Sequence, residues 1–341
     1  MEIKELTRND IEKWNQFVFT HPEATFFHRA EWKEVIEKTF SQQTYFYFAE
    51  QDDQIVGVLP LGQVKSRLFG NALISLPFFV YGGILANNQE VHLALTDRAK
   101  LLAKELNVDS LEMRNIKRQY NDWPVKSDLY ARFRKEIDPD VEQNLKNIPR
   151  KQRAEVRKGI KNGLVSEIGN DVDQFYESYA LTLHSHGTPA YPRKLFHILR
   201  EVFKEDCGIL NIYQDKRLVA SLMSFYFKDE VLPYYAGTSA DARKLKAHDF
   251  MYWELMRRSC ESGYKWFDYG RSKVGTGPYN FKKYWGFEPE PLNYEYYLVN
   301  ATEIPDVNPN NPKYKLFIKA WQKMPFSMTK IIGPYIVRNL G

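Results

Sequence analysis

Apolar and polar positions alternate at period two in short runs and at three-to-four spacing in longer ones, and this order recurs along the chain. Residues 2–6 alternate as a strand. Asn9 and Asp10 can cap a helix running to Phe19, because a short polar side chain takes up its unpaired N–H groups. The run 26–40 predicts a helix with Trp32, Val35 and Ile36 on one face. Residues 45–48, 55–64 and 72–80 predict three strands, the first two joined at Asp52-Asp53. Residues 90–106 predict an amphipathic helix through Leu93, Leu101 and Leu102, and 111–113 and 129–137 two more strands.

The same order then returns. Strands are predicted at 164–168, 209–213, 218–227, 231–236 and 266–269, and helices at 172–184, 193–203 and 247–262. One β-α-α-β-β-β-α-β unit used twice accounts for this, and no short-period repeat allows a solenoid. The expected class is α/β (α+β), each unit a mixed sheet flanked by helices. The expected domains are 1–145 and 146–300, with 301–341 as a wrapping extension that holds a short helix around 317–321.

Composition narrows the class. Of 341 residues, 43% are hydrophobic and 15% aromatic, which supports real cores and argues against disorder. The net charge of +5 tolerates an anionic ligand without demanding one. Cys207 and Cys260 are the only cysteines and show no metal-ligand spacing. Met1 leads into charged residues, and the apolar run 72–86 is broken by Pro77 and Gly82-Gly83. It falls short of the ~20 residues a spanning helix needs. The expectation is a soluble chain in the cytoplasm, possessing neither a metal site nor a bound cofactor.

Candidate chemistry gathers at 265–297, where a strand meets a glycine loop, then a short aromatic helix and a last strand of tyrosines. Charge and backbone N–H groups at a sheet's end are where α/β sites often form. The motif Asp268-x-Gly270-Arg271-Ser272, followed by Phe281-Lys282-x-x-Trp285-Gly286, resembles the FemAB-related branch of the Fem aminoacyl transferases. The likeness is to members found with exopolysaccharide or exosortase systems and to BioF2-like acyltransferase domains. It spans nearly the whole chain and implies tandem GNAT-like domains. The better-known members move an amino acid from aminoacyl-tRNA onto a peptidoglycan-precursor peptide.

The resemblance implies roles for particular residues. Lys282 is expected to stabilise developing negative charge, Asp268 and Arg271 to orient an amine or phosphate, and Tyr279 or Tyr269 to supply a proton. Ser272 falls within the same motif and is expected to touch substrate. His184-Ser185-His186-Gly187-Thr188-Pro189 is similar to a family loop bordering the substrate cleft, which makes His186, Thr188 and Tyr191 ligand candidates. Two histidines without a third ligand nearby are a poor metal signature. In the basic run 140–163, Arg150, Arg153 and Arg157 share one helical face, suited to a phosphorylated donor or acceptor or simply to solvent.

Where GNAT acetyltransferases carry a glycine-rich coenzyme A loop, this chain has Arg243-Lys244-Leu245-Lys246-Ala247-His248, with no glycine. The coiled-coil insertion of many peptidoglycan members is also missing. The donor stays open between aminoacyl-tRNA and an acyl thioester. The expected acceptor is an amine on a small-molecule or lipid-linked precursor of the cell envelope or a polysaccharide. A coenzyme A-dependent N-acyltransferase, and a non-catalytic binder of nucleic acid or acidic polysaccharide, are the alternatives. Ile331, Ile332, Tyr335 and Ile336, mixed with Lys330 and Arg338, are suited to packing on the protein or to touching the inner face of a membrane.

Overall fold

The structure is a computed structural model and describes residues 1–66, 70–304 and 312–339. In chain order it runs β1 (Glu2–Glu5), α1 (Ile11–Thr20), α2 (Trp32–Phe40), β2 (Thr44–Gln51), β3 (Gln54–Ser66), β4 (Gly70–Ser75), β5 (Leu85–Ala86), α3 (Gln89–Glu105), β6 (Ser110–Asn115), β7 (Val125–Lys126) and β8 (Tyr130–Glu136). It continues with α4 (Val141–Asn147), α5 (Arg150–Lys161), β9 (Val165–Gly169), α6 (Val172–His186), α7 (Arg193–Phe203), β10 (Cys207–Gln214), β11 (Arg217–Phe227) and β12 (Glu230–Thr238). Then follow α8 (Ala242–Leu245), α9 (Ala247–Glu261), β13 (Trp266–Lys273), α10 (Gly277–Tyr284), β14 (Glu290–Pro291), β15 (Asn293–Leu298), α11 (Pro312–Lys323) and α12 (Phe326–Val337).

These elements form two compact units. The first takes residues up to Leu129 and then Pro291 onward through β15; the second takes Tyr130–Glu290, α11 and most of α12. The first sheet has the order β1-β2-β3-β4-β6-β15-β7, with β5 added to β3. The second has the order β9-β10-β11-β12-β13-β8-β14, which is the same arrangement. Each holds a parallel pair at the same place, β4 with β6 and β12 with β13. The tandem α/β architecture expected from the recurring pattern is therefore present.

Each sheet is completed by a strand from elsewhere in the chain. β8, placed by sequence in the first domain, pairs antiparallel with β13. β15, placed in the second, pairs antiparallel with β6. Glu295 on β15 is fully buried and accepts hydrogen bonds from Asn115 Nδ2 and from the Gln119 and Tyr120 N–H groups.

Local departures have identifiable causes. The strand predicted over 72–80 ends at Ser75, because Leu76, Phe78 and Tyr81 adopt positive φ of 52°, 72° and 59°. That apolar run fills the core instead, with Phe79 4.1 Å from the Trp32 ring and Phe78 3.8 Å from Phe40. Periodicity cannot separate a buried strand from buried irregular chain. The helix predicted from residue 26 begins only at Trp32; a 3-10 turn precedes it, closed by His28 Nδ1 accepting from Thr25 N–H at 3.1 Å. The short helix expected in the extension is two helices, α11 and α12.

Candidate functional site

In the second unit, β12 and β13 pair only at Glu230 with Trp266 and Val231 with Phe267. Beyond that they part, and β13 keeps its ladder with β8 while β12 stays on β11. A bulge skips Tyr234 in the β11–β12 register. The β13-facing edge of β12 past Val231 thus carries backbone groups outside any strand ladder, and at its end Thr238 N–H donates to Thr182 Oγ1 at 2.7 Å. α9 packs on β10, β11 and β12, while α6 packs on β10, β11 and β12 from the other face. Gly237 allows that close approach, since a Cβ there would sit 2.3 Å from Tyr179 N.

The wedge's far wall is β13, which does not stop at Gly270 as the sequence suggested but runs on to Lys273. It passes Gly270 through a bulge at φ 66°, so the strand changes course without breaking. Asp268 is fully buried. One carboxylate oxygen accepts from Arg132 Nε and Nη2 at 2.8 and 2.7 Å, and the other from Gly270 N–H at 2.7 Å. Arg132 also reaches Glu230 at 3.5 Å, and Glu230 is bonded to Arg134. Burial, then the Asp268 charge, pushes Glu230 up to about 7 against the two arginines.

Lys282 comes to the same bulge from α10. Its Nζ donates to the carbonyls of Tyr269, Gly270 and Arg271 at 2.6, 3.3 and 3.3 Å. Phe133 and Tyr269 rings flank it at 5.5 and 5.9 Å. Burial pushes its ammonium down to about 7, with Asp268 pulling the other way. Lys283, one residue on, is exposed over the Tyr279 ring. Tyr279 is half-buried against Phe133 at 5.2 Å, and Arg271 lies 4.4 Å from the Tyr130 ring centroid. Ser272 is buried with its hydroxyl lacking a hydrogen-bond partner, and so is the Tyr269 hydroxyl. A buried polar atom without a partner is what a ligand contact requires before the ligand arrives.

The first turn of α9 lies beside the basic helix. Lys246 takes a left-handed φ of 62° between α8 and α9 and pairs with Glu155 of α5 at 2.6 Å. Gly159 seats α5 against this turn: a Cβ there would meet Phe250 Cβ at 2.8 Å. Arg150 and Arg157 are exposed, and Arg153 donates to the Lys146 carbonyl at 2.8 Å. His248, on the same turn, stands 4.6 Å from the Phe281 ring and 5.0 Å from Tyr252. Those apolar surroundings, then the neighbouring His186, push its imidazole down to about 4.

The His184–Pro189 segment is not all loop. α6 runs through His186 and stops at Gly187, whose φ of 73° ends the helix. His186 and Thr188 are exposed and Tyr191 is half-buried against Tyr235. The structure thus gathers Asp268, Arg271, Ser272, Tyr279 and Lys282 around one bulge. Arg132, Arg134 and Glu230 escape sequence reasoning, and His248, which sequence alone marks as structural, lies against Phe281 and Tyr252. The Arg-x-Arg alternation on β8 was the available signal for the first two. Among the described residues, no group of three His, Cys, Asp or Glu could hold a metal ion.

A sheet that opens between two parallel strands joined by a long helix is the arrangement of a GNAT-type fold. Residues 146–283 match the acetyltransferase (GNAT) domain family. The crystal structure of FemX is similar at TM-score 0.69 and 16% identity, covering 93% of this chain and 100% of that one. A tandem GNAT protein from the clavulanic acid biosynthesis pathway, solved without AcCoA, is similar at TM-score 0.54 and 14% identity, covering 89% and 99%. L-PGS from Bacillus licheniformis is similar at TM-score 0.51 and 12% identity, covering 86% and 97%. A search of curated protein sequences gives no match. The fold is a tandem GNAT-like fold, shared with the FemX structure and with the clavulanic acid pathway protein.

Proposed function

We propose that the chain transfers an aminoacyl or acyl group onto an amine of a cell-envelope or polysaccharide precursor. The observation that carries this is the wedge between β12 and β13, with unladdered backbone on one wall and the unpartnered Ser272 hydroxyl beside the other. Attack on an acyl carbonyl needs donors aimed at the developing oxyanion, and backbone N–H groups held on a strand outside its ladder are already oriented for that role. Lys282 adds a positive charge under the bulge and fixes three of its carbonyls. Asp268, through Gly270 and Arg132, sets the bulge, so that Arg271 and Ser272 face substrate. Tyr279 supplies the proton to the leaving oxygen or sulfur, a role typically worth ~10²–10⁴-fold. The exposed Arg150 and Arg157, with Arg153 and with Lys246 at the α9 turn, suit a phosphorylated donor or acceptor, aminoacyl-tRNA among them.

The coenzyme A reading is favoured by one feature, the α9 first turn flanked by Lys244 and Lys246. Against it, Lys246 occupies the turn where a glycine would admit pyrophosphate and is engaged with Glu155. Calorimetry decides: acetyl-coenzyme A is expected to bind weakly or not at all. A Kd near a micromolar, roughly −8 kcal/mol, transfers the proposal to a coenzyme A-dependent N-acyltransferase. Mass spectrometry of ligands retained on native purification then names the donor. Salt-sensitive polymer binding with no turnover of any acyl donor favours a binding protein instead.

A further inference from the structure

α12 is anchored on one side and apolar on the other. Its inner face carries Thr329, 4% exposed, and Gly333, where a Cβ would stand 3.2 Å from the Ala190 backbone. Lys330 fixes the helix to α6 through both Glu177 oxygens at 2.9 and 2.8 Å. The outer face presents Met328, Ile331 and Tyr335, which are 47, 68 and 64% exposed. They follow one another at three- and four-residue spacing, so they form one stripe. Because the inner face is already seated, this stripe is not the helix's packing surface. Single exposed apolar residues are ordinary, but three large ones aligned on one short helix are not.

Along the chain beyond Asp306 the charges have one sign. No Asp or Glu follows Asp306, whereas Lys313, Lys315, Lys319, Lys323, Lys330 and Arg338 do. Lys319 and Lys323 on α11 are exposed. Lys330 is engaged with Glu177 of α6, and the exposed Lys319, Lys323 and Arg338 remain. Apolar and aromatic side chains on a helix whose own segment carries cations and no acidic residue complement an anionic lipid interface, where acyl chains receive the stripe and headgroups the lysines. A protein partner offering the same apolar groove would have to supply the acidic rim as well.

We infer that the outward face of α12 docks the second unit onto an anionic membrane surface, with Met328, Ile331 and Tyr335 entering the headgroup boundary. No helix among the described residues is long and apolar enough to cross a membrane, so the contact is peripheral. α11 and α12 also rest on the segment carrying His186 and Thr188: Gln322 Nε2 donates to the Ser185 carbonyl at 2.8 Å, and His184 lies 3.0 Å from the Met324 carbonyl. Docking by α12 therefore holds that segment close to the lipid. The inference stands on the helix pair alone and needs no acyl donor, so it survives or fails apart from the transfer reaction.

The experiment is co-sedimentation of the full chain with phosphatidylglycerol–phosphatidylcholine vesicles and with phosphatidylcholine vesicles. Binding is expected to the anionic vesicles only and to weaken as salt is raised. Ile331→Glu and Tyr335→Glu together are expected to reduce partitioning by about tenfold or more while leaving the melting temperature unchanged, since both side chains are exposed. Absence of wild-type binding, or equal binding by the double variant, overturns the inference. So does a concentration-dependent dimer that the same variant abolishes, which would assign the face to a second copy of the chain.

Discussion

Lys282 shows how much a residue's role depends on its partners. A lysine is mostly exposed in folded proteins, yet here all three ammonium hydrogens have carbonyls to meet, and the stem is buried between Phe133 and Tyr269. Lys282→Met keeps the stem and removes the donor. Turnover on the native substrate pair is expected to fall about 10²–10³-fold. The melting temperature should fall too, because the Tyr269–Arg271 carbonyls lose their donor. Lys283→Met should change neither. Its charge gives a second handle. The folded value near 7 lies below the ordinary lysine value of 10.5, so between them the unfolded chain binds more protons than the folded one. The stability of the wild type relative to Lys282→Met should therefore rise from pH 7 toward pH 10. Melting curves of both proteins across that range provide the check, and a flat difference would place the lysine pKa near its ordinary value.

Below Lys282, Asp268 is buried without access to solvent and depends on Arg132. Arg132→Met leaves that carboxylate without its partner, and a loss of about 3–5 kcal/mol in chemical denaturation is expected. Glu230 acts in the opposite pH range. Its folded value near 7 exceeds the unfolded 4.5, so its contribution is complete below 4.5 and disappears as pH rises through 7. Glu230→Gln should flatten that limb of the stability profile.

At the scale of elements, the wedge rests on helices held unusually close. Gly159 in the middle of α5 costs roughly 1 kcal/mol of helix propensity relative to alanine. The position tolerates that loss because a methyl would press on Phe250 Cβ at 2.8 Å and the Lys246 carbonyl at 3.3 Å. Those are a side-chain root and a backbone atom, neither able to swing away. Gly159→Ala should therefore destabilise by about 1–3 kcal/mol despite its better propensity, and a rise in denaturation midpoint would mean that α5 shifts freely over α9. The sequence made α5 legible through its cations, but the glycine's partner lies on a helix some ninety residues away.

At the scale of the whole chain, the two sheets borrow from each other's part of the sequence. β15 supplies the first sheet with a strand and buries Glu295 against three donors. A fragment of residues 1–145 lacks that strand and retains β8 with no sheet to join. Its circular dichroism and melting should show no cooperative unfolding, whereas the full chain should unfold cooperatively. A stable, cooperative fragment would show β15 to be dispensable.

The sequence by itself determined the longer helices and strands and their order, since amphipathic period is a local property of the chain, but not where the apolar run after Ser75 leaves the strand or where the helix at Trp32 begins. It also singled out the Asp268–Ser272 and Phe281–Gly286 motifs, whose residues meet at the bulge because a short loop and helix connect them. It did not contain the exchange of β8 and β15, because strand pairing is a choice among edges distant in sequence. Nor did it disclose Arg132 under Asp268 or Glu155 on Lys246, where the partner of each charge was decided by burial. Only the packed structure brings those groups out of water together, and it is there that an unpaired charge becomes costly.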